Sequence, residues 1–348
     1  MTLRHAEGSG VVSSTWTGRR SRAVPLDQDD PRVIAARQAE RRLYDYYGLE
    51  PAHHLVALPR LGLRVRVTEV GSGPPVLVVP GNTGDGFPFA PLLPHLPGRR
   101  VIVLNRPGGG LSEGMDHTTI GFRDLARYTL SSVLDSLGID RVPIVAHSMG
   151  GHWSQWFAMD RPDRVTALAL LGVPGNVLTT RPPLALRLAS VRGLNRLVVR
   201  ATIPRRTQDA LKGLGFLGHS PETLKRLPAA MGECYFTFDR LPNYQMSTRT
   251  LMEVTNRLRG SNPRIRITEA ELATVRAPTA LLWGEHDPFG DAGTGKRIAA
   301  LVQHGRFQEL PGGGHLPWLD DPETAGRLVM DLLRSTEHQG RTRGKRHA

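Results

Sequence analysis

The feature that most constrains the fold of this chain is a serine set between an apolar run and a helix-like segment. Val142–Val145 predict a buried strand, and His152–Met159 predict a helix. Ser148 lies between them in Ala-His-Ser-Met-Gly-Gly, where Ala146 and Gly150 leave room for a sharp turn. A strand, a serine turn and a helix in this order are typical of a nucleophile elbow. The pattern therefore predicts Ser148 as a nucleophile at the end of a sheet strand.

A carboxylate and a histidine follow later in the chain, each just after a predicted strand. Ala280–Gly284 predict a short buried strand, and Asp287 follows it. Arg306–Leu310 predict another strand, and His315 lies on the glycine-rich loop after it. A neutral serine hydroxyl is a poor nucleophile unless a base takes its proton, and a carboxylate can orient that base. These residue types therefore predict a triad of Ser148, His315 and a carboxylate that follows the strand at Ala280–Gly284, which is Glu285, Asp287 or Asp291.

With nucleophile, acid and histidine in this order, residues 61–333 resemble the serine-dependent α/β-hydrolase superfamily, interrupted by one insertion. The resemblance implies the α/β-hydrolase fold, a mostly parallel sheet with flanking helices and an inserted helical cap. It also favours Asp287 as the acid, because the family acid occupies the matching place in the Gly-Glu-x-Asp-Pro turn. Glu285 and Asp291 remain rival acids.

The resemblance also implies an oxyanion hole in the loop after the predicted strand Pro75–Val79. The matching backbone N–H donors are those of Asn82 and Met149, while Pro80 replaces a histidine that is common in the family. A second segment, Asn105–Ser112, resembles the family turn Arg-x-Gly-x-Gly-x-Ser. We interpret that segment as structural, with the Asn105 side chain bonding the backbone of its own turn.

Loop aromatic residues supply candidates for the walls of a substrate pocket. They are expected near the mouth of the site, although packing in the core explains them equally well. These candidates are Phe87, Phe89, Phe289 and Trp318.

Element patterns divide the chain into a core, an insertion and two terminal segments. Pro31–Tyr47 predict a helix, and His54–Leu58 and Leu63–Val70 predict an antiparallel pair of strands. The stretch between the strands at Leu171 and Ala280 is too long for one crossover, which predicts an inserted cap. The expected divisions are residues 31–173 and 278–335 for the core, 174–277 for the helical cap, and 1–30 and 336–348 for disordered ends.

The formal net charge of +13 is concentrated in the insertion. Residues 175–270 contain sixteen basic and six acidic residues, and 181–206 contain seven arginines and no acid. An amphipathic basic helix is predicted there from apolar residues Leu184, Leu188, Val191, Leu197 and Val198 alternating with Arg187, Arg192, Arg196 and Arg200. Its apolar face either packs over the sheet with the arginines in solvent, or binds an acidic acyl-carrier protein, coenzyme A or a membrane surface.

Composition limits the partners, the kinds of site and the location that we expect for this chain. Arginine outnumbers lysine forty-one to four without any nucleic-acid module, so no nucleic-acid partner is expected. A single cysteine, Cys234, excludes an intramolecular disulfide and gives no metal-ligand cluster. No run is long enough to span a bilayer, and Arg19-Arg20 lacks the apolar run of an export signal. The expected location is cytoplasmic.

Together these features predict a soluble serine hydrolase that needs no cofactor or metal and forms an acyl-enzyme with a small-molecule ester or acyl substrate. Other chemistries stay open because the elbow does not separate them. They are thioesterase or acyltransferase action on a carrier-bound acyl group, carbon–carbon bond hydrolysis, and non-catalytic ligand binding on the same fold.

Overall fold

In the part of the chain that the structure describes, the named strands lie in one large sheet and one small hairpin. The computed structural model describes residues 23–344 of the chain. Its strands are β1 (Ala52–Leu58), β2 (Leu63–Val70), β3 (Pro75–Val79), β4 (Arg100–Leu104), β5 (Val142–His147), β6 (Val165–Leu171), β7 (Asn256–Arg257), β8 (Gly260–Ser261), β9 (Thr279–Gly284) and β10 (Gly305–Leu310).

Helices precede the sheet, connect its strands and fill the insertion between β6 and β9. They are α1 (Pro31–Tyr46), α2 (Phe122–Ser136), α3 (Ser148–Asp160), α4 (Leu184–Leu188), α5 (Leu194–Thr202), α6 (Lys212–Gly215), α7 (Pro221–Arg226), α8 (Ala229–Phe238), α9 (Tyr244–Thr255), α10 (Glu269–Leu272), α11 (Ala292–Leu301), α12 (Pro317–Asp320) and α13 (Pro322–Gly344). No helix within residues 23–344 is long and apolar enough to cross a membrane.

The described residues form an eight-stranded sheet in the order β1-β2-β4-β3-β5-β6-β9-β10. Strands from β4 to β10 in this order pair in parallel, and β2 pairs antiparallel with β1 and β4. The central strands β5 and β9 are almost continuously buried, as their apolar runs predict for strands covered on both faces. The predicted mostly parallel α/β fold and the antiparallel pair at its edge are confirmed.

Pairing register brings the loops of the candidate site together. Val79 at the end of β3 pairs with Ala146 of β5, so the loops containing Asn82 and Ser148 start side by side. Gly284 pairs with Leu310 in the same parallel sense, so the loops after β9 and β10 also start side by side. The carboxyl ends of parallel strands meet at one edge, which is where crevices form in such sheets.

Two apolar layers cover the sheet. One contains buried side chains of α2, α3 and α11, and the other contains buried side chains of α1, α8 and α13. Helix α8 belongs to the insertion, so the insertion packs directly against helix α1 of the core. The insertion is therefore part of the hydrophobic core.

Two expectations about the chain ends need correction. Within residues 1–30, those before Ala23 lie outside the described part, but Val24 pairs with Gly114 and Leu26 is 3% exposed. The tail 336–348 is not disordered as far as Gly344, because α13 continues to that residue. Residues 345–348 lie outside the described part.

The single amphipathic helix predicted from Leu184 to Arg200 is also wrong. The chain forms two helices, α4 and α5, separated at residues 189–193. Gly193 has a φ of 89°, in the left-handed region that interrupts a right-handed helix. The apolar residues of α4 and α5 keep nearly the same spacing, and this spacing alone does not distinguish two short helices from one longer helix.

Candidate active site

The backbone at Ser148 adopts the sharp turn that the sequence predicts. Strand β5 ends at His147 and helix α3 begins at Ser148, whose φ is +50°, in the left-handed region that residues other than glycine seldom occupy. Two positions later, a Cβ on Gly150 would lie 2.2 Å from the carbonyl oxygen of Val79. The absence of a side chain at Gly150 lets the turn sit against the end of β3.

His315 and Asp287 form a buried hydrogen-bonded pair. The Nδ1 atom of His315 lies 2.7 Å from Oδ2 of Asp287, and their side chains are 4% and 0% exposed. Asp287 also accepts hydrogen bonds from the backbone N–H groups of Val173 and Phe289, each at 3.0 Å. With Nδ1–H as donor, three hydrogen bonds fix the carboxylate and leave Nε2 of His315 as the free acceptor.

The two rival carboxylates hold the backbone in other places. Glu285 accepts a hydrogen bond from the backbone N–H of Gly312 at 2.8 Å. Asp291 caps helix α11 by accepting from the N–H of Thr294 at 2.8 Å. Asp287 is the carboxylate that the structure places beside His315.

Aromatic and imidazole rings pack around His315. The Phe289 ring is stacked on that of His315 with centroids 4.2 Å apart and an interplanar angle of 27°. The His147 ring lies 4.5 Å from that of His315, and its Nε2 atom lies 3.0 Å from the His315 carbonyl oxygen. Burial and the nearby His315 hold the pKa of His147 well below its usual value, so His147 is neutral and donates from Nε2.

The loop after β3 lies against the serine turn. A Cβ on Gly81 would lie 3.1 Å from that of Ser148, so the backbone approaches closely at a residue without a side chain. Neither the N–H of Asn82 nor that of Met149 donates a hydrogen bond within residues 23–344. Met149 is in the first turn of α3, where N–H groups have no intrahelical acceptor. Both groups are available to an oxygen beside Ser148.

The side chain of Arg106 forms hydrogen bonds with the loop after β3. Its guanidinium donates to the carbonyl oxygens of Gly81 and, at 3.2 Å, of Asn82, and it lies 4.7 Å from the Trp153 ring centroid. Burial lowers the pKa of Arg106 to about 9, with an opposing contribution from Asp85, and the group remains charged at neutral pH. The sequence predicts a structural role for the turn that contains Arg106, but it gives no sign of the contact between Arg106 and this loop.

Asn105 also bonds a different segment from the one predicted. Its Oδ1 atom accepts the backbone N–H of Gly86 at 2.7 Å, whereas the sequence suggested a bond within its own turn. A Cβ on Gly86 would lie 2.9 Å from the same Oδ1 atom, so the two loops touch. The Asn105–Ser112 turn thus supports the β3 loop through two consecutive residues.

A cavity of about 1340 Å³ opens beside these residues, above the 300–1,000 Å³ typical of small-ligand pockets. Its walls include Ser148 and His315 together with many residues of α4, α5, α6, α8 and α9 from the insertion. Three of the aromatic candidates line it, namely Phe89, Phe289 and Trp318.

Phe87 is the aromatic candidate that does not line the cavity. It is fully buried, and its ring packs edge-on against Tyr235 at 4.9 Å and Phe238 at 4.7 Å. The pocket interpretation of Phe87 is therefore wrong, because helix α8 covers the ring. Core packing, the alternative considered for all four residues, holds for this one.

Two acidic residues of the cavity wall were not anticipated. Burial, followed by the charge of Asp239, raises the pKa of Asp85 to about 8. Burial raises the pKa of Asp239 to about 7, against a hydrogen bond with Tyr244. Asp239 comes from the insertion and Asp85 from the β3 loop, so no local sequence signal links them. Asp85 therefore keeps its proton to a higher pH than an ordinary aspartate does.

The sequence resembles known proteins of one fold family. Residues 74–322 match the family model described as alpha/beta hydrolase fold. The chain is 27% identical over 285 residues to a 2-hydroxy-6-oxononadienedioate/2-hydroxy-6-oxononatrienedioate hydrolase of Pseudomonas putida, covering 78% of this chain and 92% of the relative. A protein of the same name from Burkholderia vietnamiensis is 27% identical over 295 residues, covering 78% and 91%.

Solved structures show the same fold. Naproxen esterase from Bacillus subtilis superimposes with a TM-score of 0.67 at 16% identity, covering 87% of this chain and 99% of its own. The 2-hydroxy-6-oxo-6-phenylhexa-2,4-dienoate hydrolase from Rhodococcus sp. strain RHA1 gives a TM-score of 0.66 at 18% identity, covering 82% and 99%. One fold thus accommodates an esterase and a dienoate hydrolase.

Proposed function

The chain belongs to the alpha/beta hydrolase fold family, and on that premise we propose that it is a serine hydrolase that cleaves an ester-type substrate through an acyl-enzyme. The observation that carries the proposal is the buried hydrogen bond from His315 to Asp287, with Ser148 and His315 lining one cavity. This arrangement orients a base toward the space that a substrate would fill.

In the first step Ser148 Oγ attacks the carbonyl carbon of the ester. His315 Nε2 takes the hydroxyl proton as the new C–O bond forms, and the carbonyl electron pair moves onto oxygen. The N–H groups of Asn82 and Met149 stabilise that oxyanion, and Asp287 stabilises the imidazolium.

In the second step the tetrahedral intermediate collapses. The bond to the alcohol oxygen breaks, His315 returns its proton to that oxygen, and the acyl group stays on Ser148. A water molecule then attacks the acyl-enzyme with His315 again as the base. The bond from the acyl carbon to Ser148 Oγ then breaks, His315 returns the proton to Oγ, and the products of this step are a carboxylic acid and the free serine.

We further propose that the insertion, residues 174–277, acts as a cap over the site. Residues of α4, α5 and α6 supply apolar parts of the cavity wall, among them Leu186, Val198 and Leu214. An apolar wall of this kind suits an acyl chain and limits the access of water to the acyl-enzyme.

Carbon–carbon bond hydrolysis is the second candidate. Two relatives at 27% identity are named as hydrolases of nonadienedioates, which carry two carboxylates. The cavity wall includes Arg200, Arg205 and Arg240, and guanidinium groups bind carboxylates well. These arginines favour an anionic substrate over a purely apolar one.

A substrate panel distinguishes the candidates. We would measure kcat/KM for p-nitrophenyl esters of graded chain length, one acyl thioester and one vinylogous diketone with a terminal carboxylate, with Ser148→Ala as the blank. The proposal expects serine-dependent turnover of the esters. Turnover of the diketone without ester turnover would replace it with the second candidate, and turnover of the thioester alone would indicate a thioesterase.

A further inference from the structure

The mouth of the cavity carries apolar side chains in solvent. Leu197 of α5 is 68% exposed and Phe216, just after α6, is 86% exposed, yet both line the cavity that contains Ser148. Isolated exposed apolar residues are ordinary on protein surfaces. Two large ones at the opening of a cavity that would hold an acyl chain form a more specific arrangement.

Helix α5 presents this apolar surface along one side. Its buried residues are Asn195 and Val199, one turn apart on the face toward the protein. Leu194, Leu197 and Ala201, at a spacing of three and four, lie along another side, and all three are exposed. We call Leu194, Leu197, Ala201 and Phe216 the mouth patch.

Arginines without acidic partners flank the mouth patch. Within residues 23–344 no carboxylate lies within 4.0 Å of the guanidinium groups of four exposed arginines in or just after α5. They are Arg196, Arg200, Arg205 and Arg206. By contrast, the nearby Arg192 pairs with Glu253 at 2.9 Å. The surface around the mouth patch is therefore positively charged and uncompensated.

We propose that the mouth patch docks on an anionic lipid surface and that acyl chains enter the cavity from it. Apolar side chains bordered by arginines match the two parts of such a surface, the acyl region and the anionic headgroups. The docking stands independently, whereas its implied substrate class, esters of lipid acyl chains, rests on the proposed function.

An acidic carrier protein fits this surface less well. A carrier would use the arginines, but it would deliver its acyl group through the opening without needing Leu197 and Phe216 in contact with solvent. A lipid surface uses both features at once, because a chain can pass from the acyl region to the cavity along apolar side chains. Charge and apolar exposure therefore favour the lipid surface.

Flotation with vesicles tests the docking without catalysis. We would use the full chain carrying Ser148→Ala, with vesicles of equal parts phosphatidylglycerol and phosphatidylcholine, and compare vesicles of phosphatidylcholine alone. The proposal expects binding to the anionic vesicles only, falling by at least about tenfold between about 50 mM and about 500 mM salt as screening increases.

Two variants and a control assign the binding to this surface. Leu197→Ser with Phe216→Ser removes the largest apolar groups, and Arg196→Gln with Arg206→Gln removes charges that do not line the cavity. Each pair should weaken binding by roughly tenfold or more. The control Leu55→Ser changes a leucine that is 49% exposed on β1, outside the cavity wall, and should bind as the parent does.

Several results would overturn the proposal. These are no flotation with anionic vesicles at low salt, flotation that both patch variants retain, or capture by an acidic acyl-carrier protein in place of vesicles. Melting temperatures close to the parent show that the variants are folded. Since every protein in the flotation assay carries Ser148→Ala, failure of the proposed hydrolysis would leave the docking result unaffected, and the reverse also holds.

Discussion

The guanidinium of Arg106 donates a hydrogen bond to the backbone carbonyl of Gly81. Because Gly81 lies against the serine turn and precedes Asn82, Arg106 fixes the loop that contains the proposed oxyanion donor Asn82, and Arg106 itself does not line the cavity. We expect Arg106→Met to lower kcat by about a hundredfold, near the effect of losing one oxyanion donor, with a small change in KM. Steady-state kinetics on the best ester checks this.

Arg123→Met is the matched control for Arg106→Met. Arg123 also lies over a tryptophan ring of α3, that of Trp156 at 5.6 Å, but its partners are Asp160 and Glu271. Its kcat should stay near that of wild type. Equal losses in the two variants would mean that stacking on α3, rather than the loop contact, explains the effect.

Asp287 is the proposed catalytic acid, whereas Glu285 holds a loop by its hydrogen bond with Gly312. We expect Asp287→Asn to lower kcat by something on the order of a thousandfold, because the amide cannot stabilise the imidazolium or keep the tautomer of His315. Glu285→Gln should retain most activity, since it loses only charge at the Gly312 hydrogen bond. Comparable kcat values for Asp287→Asn and wild type would move the acid role elsewhere.

Asp85 makes the free energy of unfolding depend on pH. Its pKa is raised to about 8 in the folded protein, from an ordinary value of 3.8, mainly by burial. Between these two values the unfolded carboxyl ionises while the folded one keeps its proton. This group therefore lowers stability as pH rises between these two values, with no further change above about pH 8.

Asp85→Asn removes that contribution. The stability of the variant relative to wild type should therefore rise from about pH 4 to about pH 8 and then level off. Urea denaturation at a series of pH values measures the free energy of unfolding of each protein. Buried histidines such as His117 and His152 contribute with the opposite sign, but they contribute equally to both proteins and drop out when the two values are subtracted. The exposed Asp29→Asn is the control. A difference for Asp85→Asn that is independent of pH would contradict the assignment.

The close packing of the serine turn against the end of β3 requires a residue without a side chain at Gly150. A Cβ there would lie 2.2 Å and 2.4 Å from the carbonyl oxygens of Val79 and Pro80, and neither backbone atom can turn aside. We expect Gly150→Ala to reduce the free energy of unfolding by more than about 2 kcal/mol or to abolish folding.

Gly215→Ala is the companion to Gly150→Ala. Gly215 lies in α6 with nothing within 4 Å of an added Cβ, so alanine should be neutral or stabilise by up to about 1 kcal/mol. Chemical denaturation of both variants gives the comparison. A Gly150→Ala protein as stable as wild type would show that the turn relaxes away from β3.

The fold and the contact between His315 and Asp287 could be predicted because their signals are local. A continuous apolar run predicts a buried parallel strand, and Ser148 and Asp287 come soon after such runs. His315 lies on the glycine-rich loop after β10, a strand of mixed composition that is only partly buried. Loops at the carboxyl ends of parallel strands meet at one edge of the sheet. Because all three residues lie on such loops, the sequence predicts that Ser148, Asp287 and His315 are found in one region of the fold.

Other features depend on contacts between segments far apart in the chain. Nothing near Phe87 in sequence shows that α8 covers its ring, and nothing near Asp239 shows that it faces Asp85. The role of Arg106 arises from a bond to a residue twenty-five positions earlier. Tertiary packing decides such features, and it leaves no periodic pattern in one sequence.

Covalent labelling with a fluorophosphonate probe tests the central claim most directly, because the probe reacts with an activated serine and mimics the tetrahedral intermediate. Intact-mass analysis of the wild-type protein should show one adduct, which peptide mapping places on Ser148. His315→Ala should be labelled at least about a hundredfold more slowly, and Ser148→Ala should remain unlabelled. Labelling that persists in Ser148→Ala, or a wild-type protein that the probe never modifies, would contradict the account.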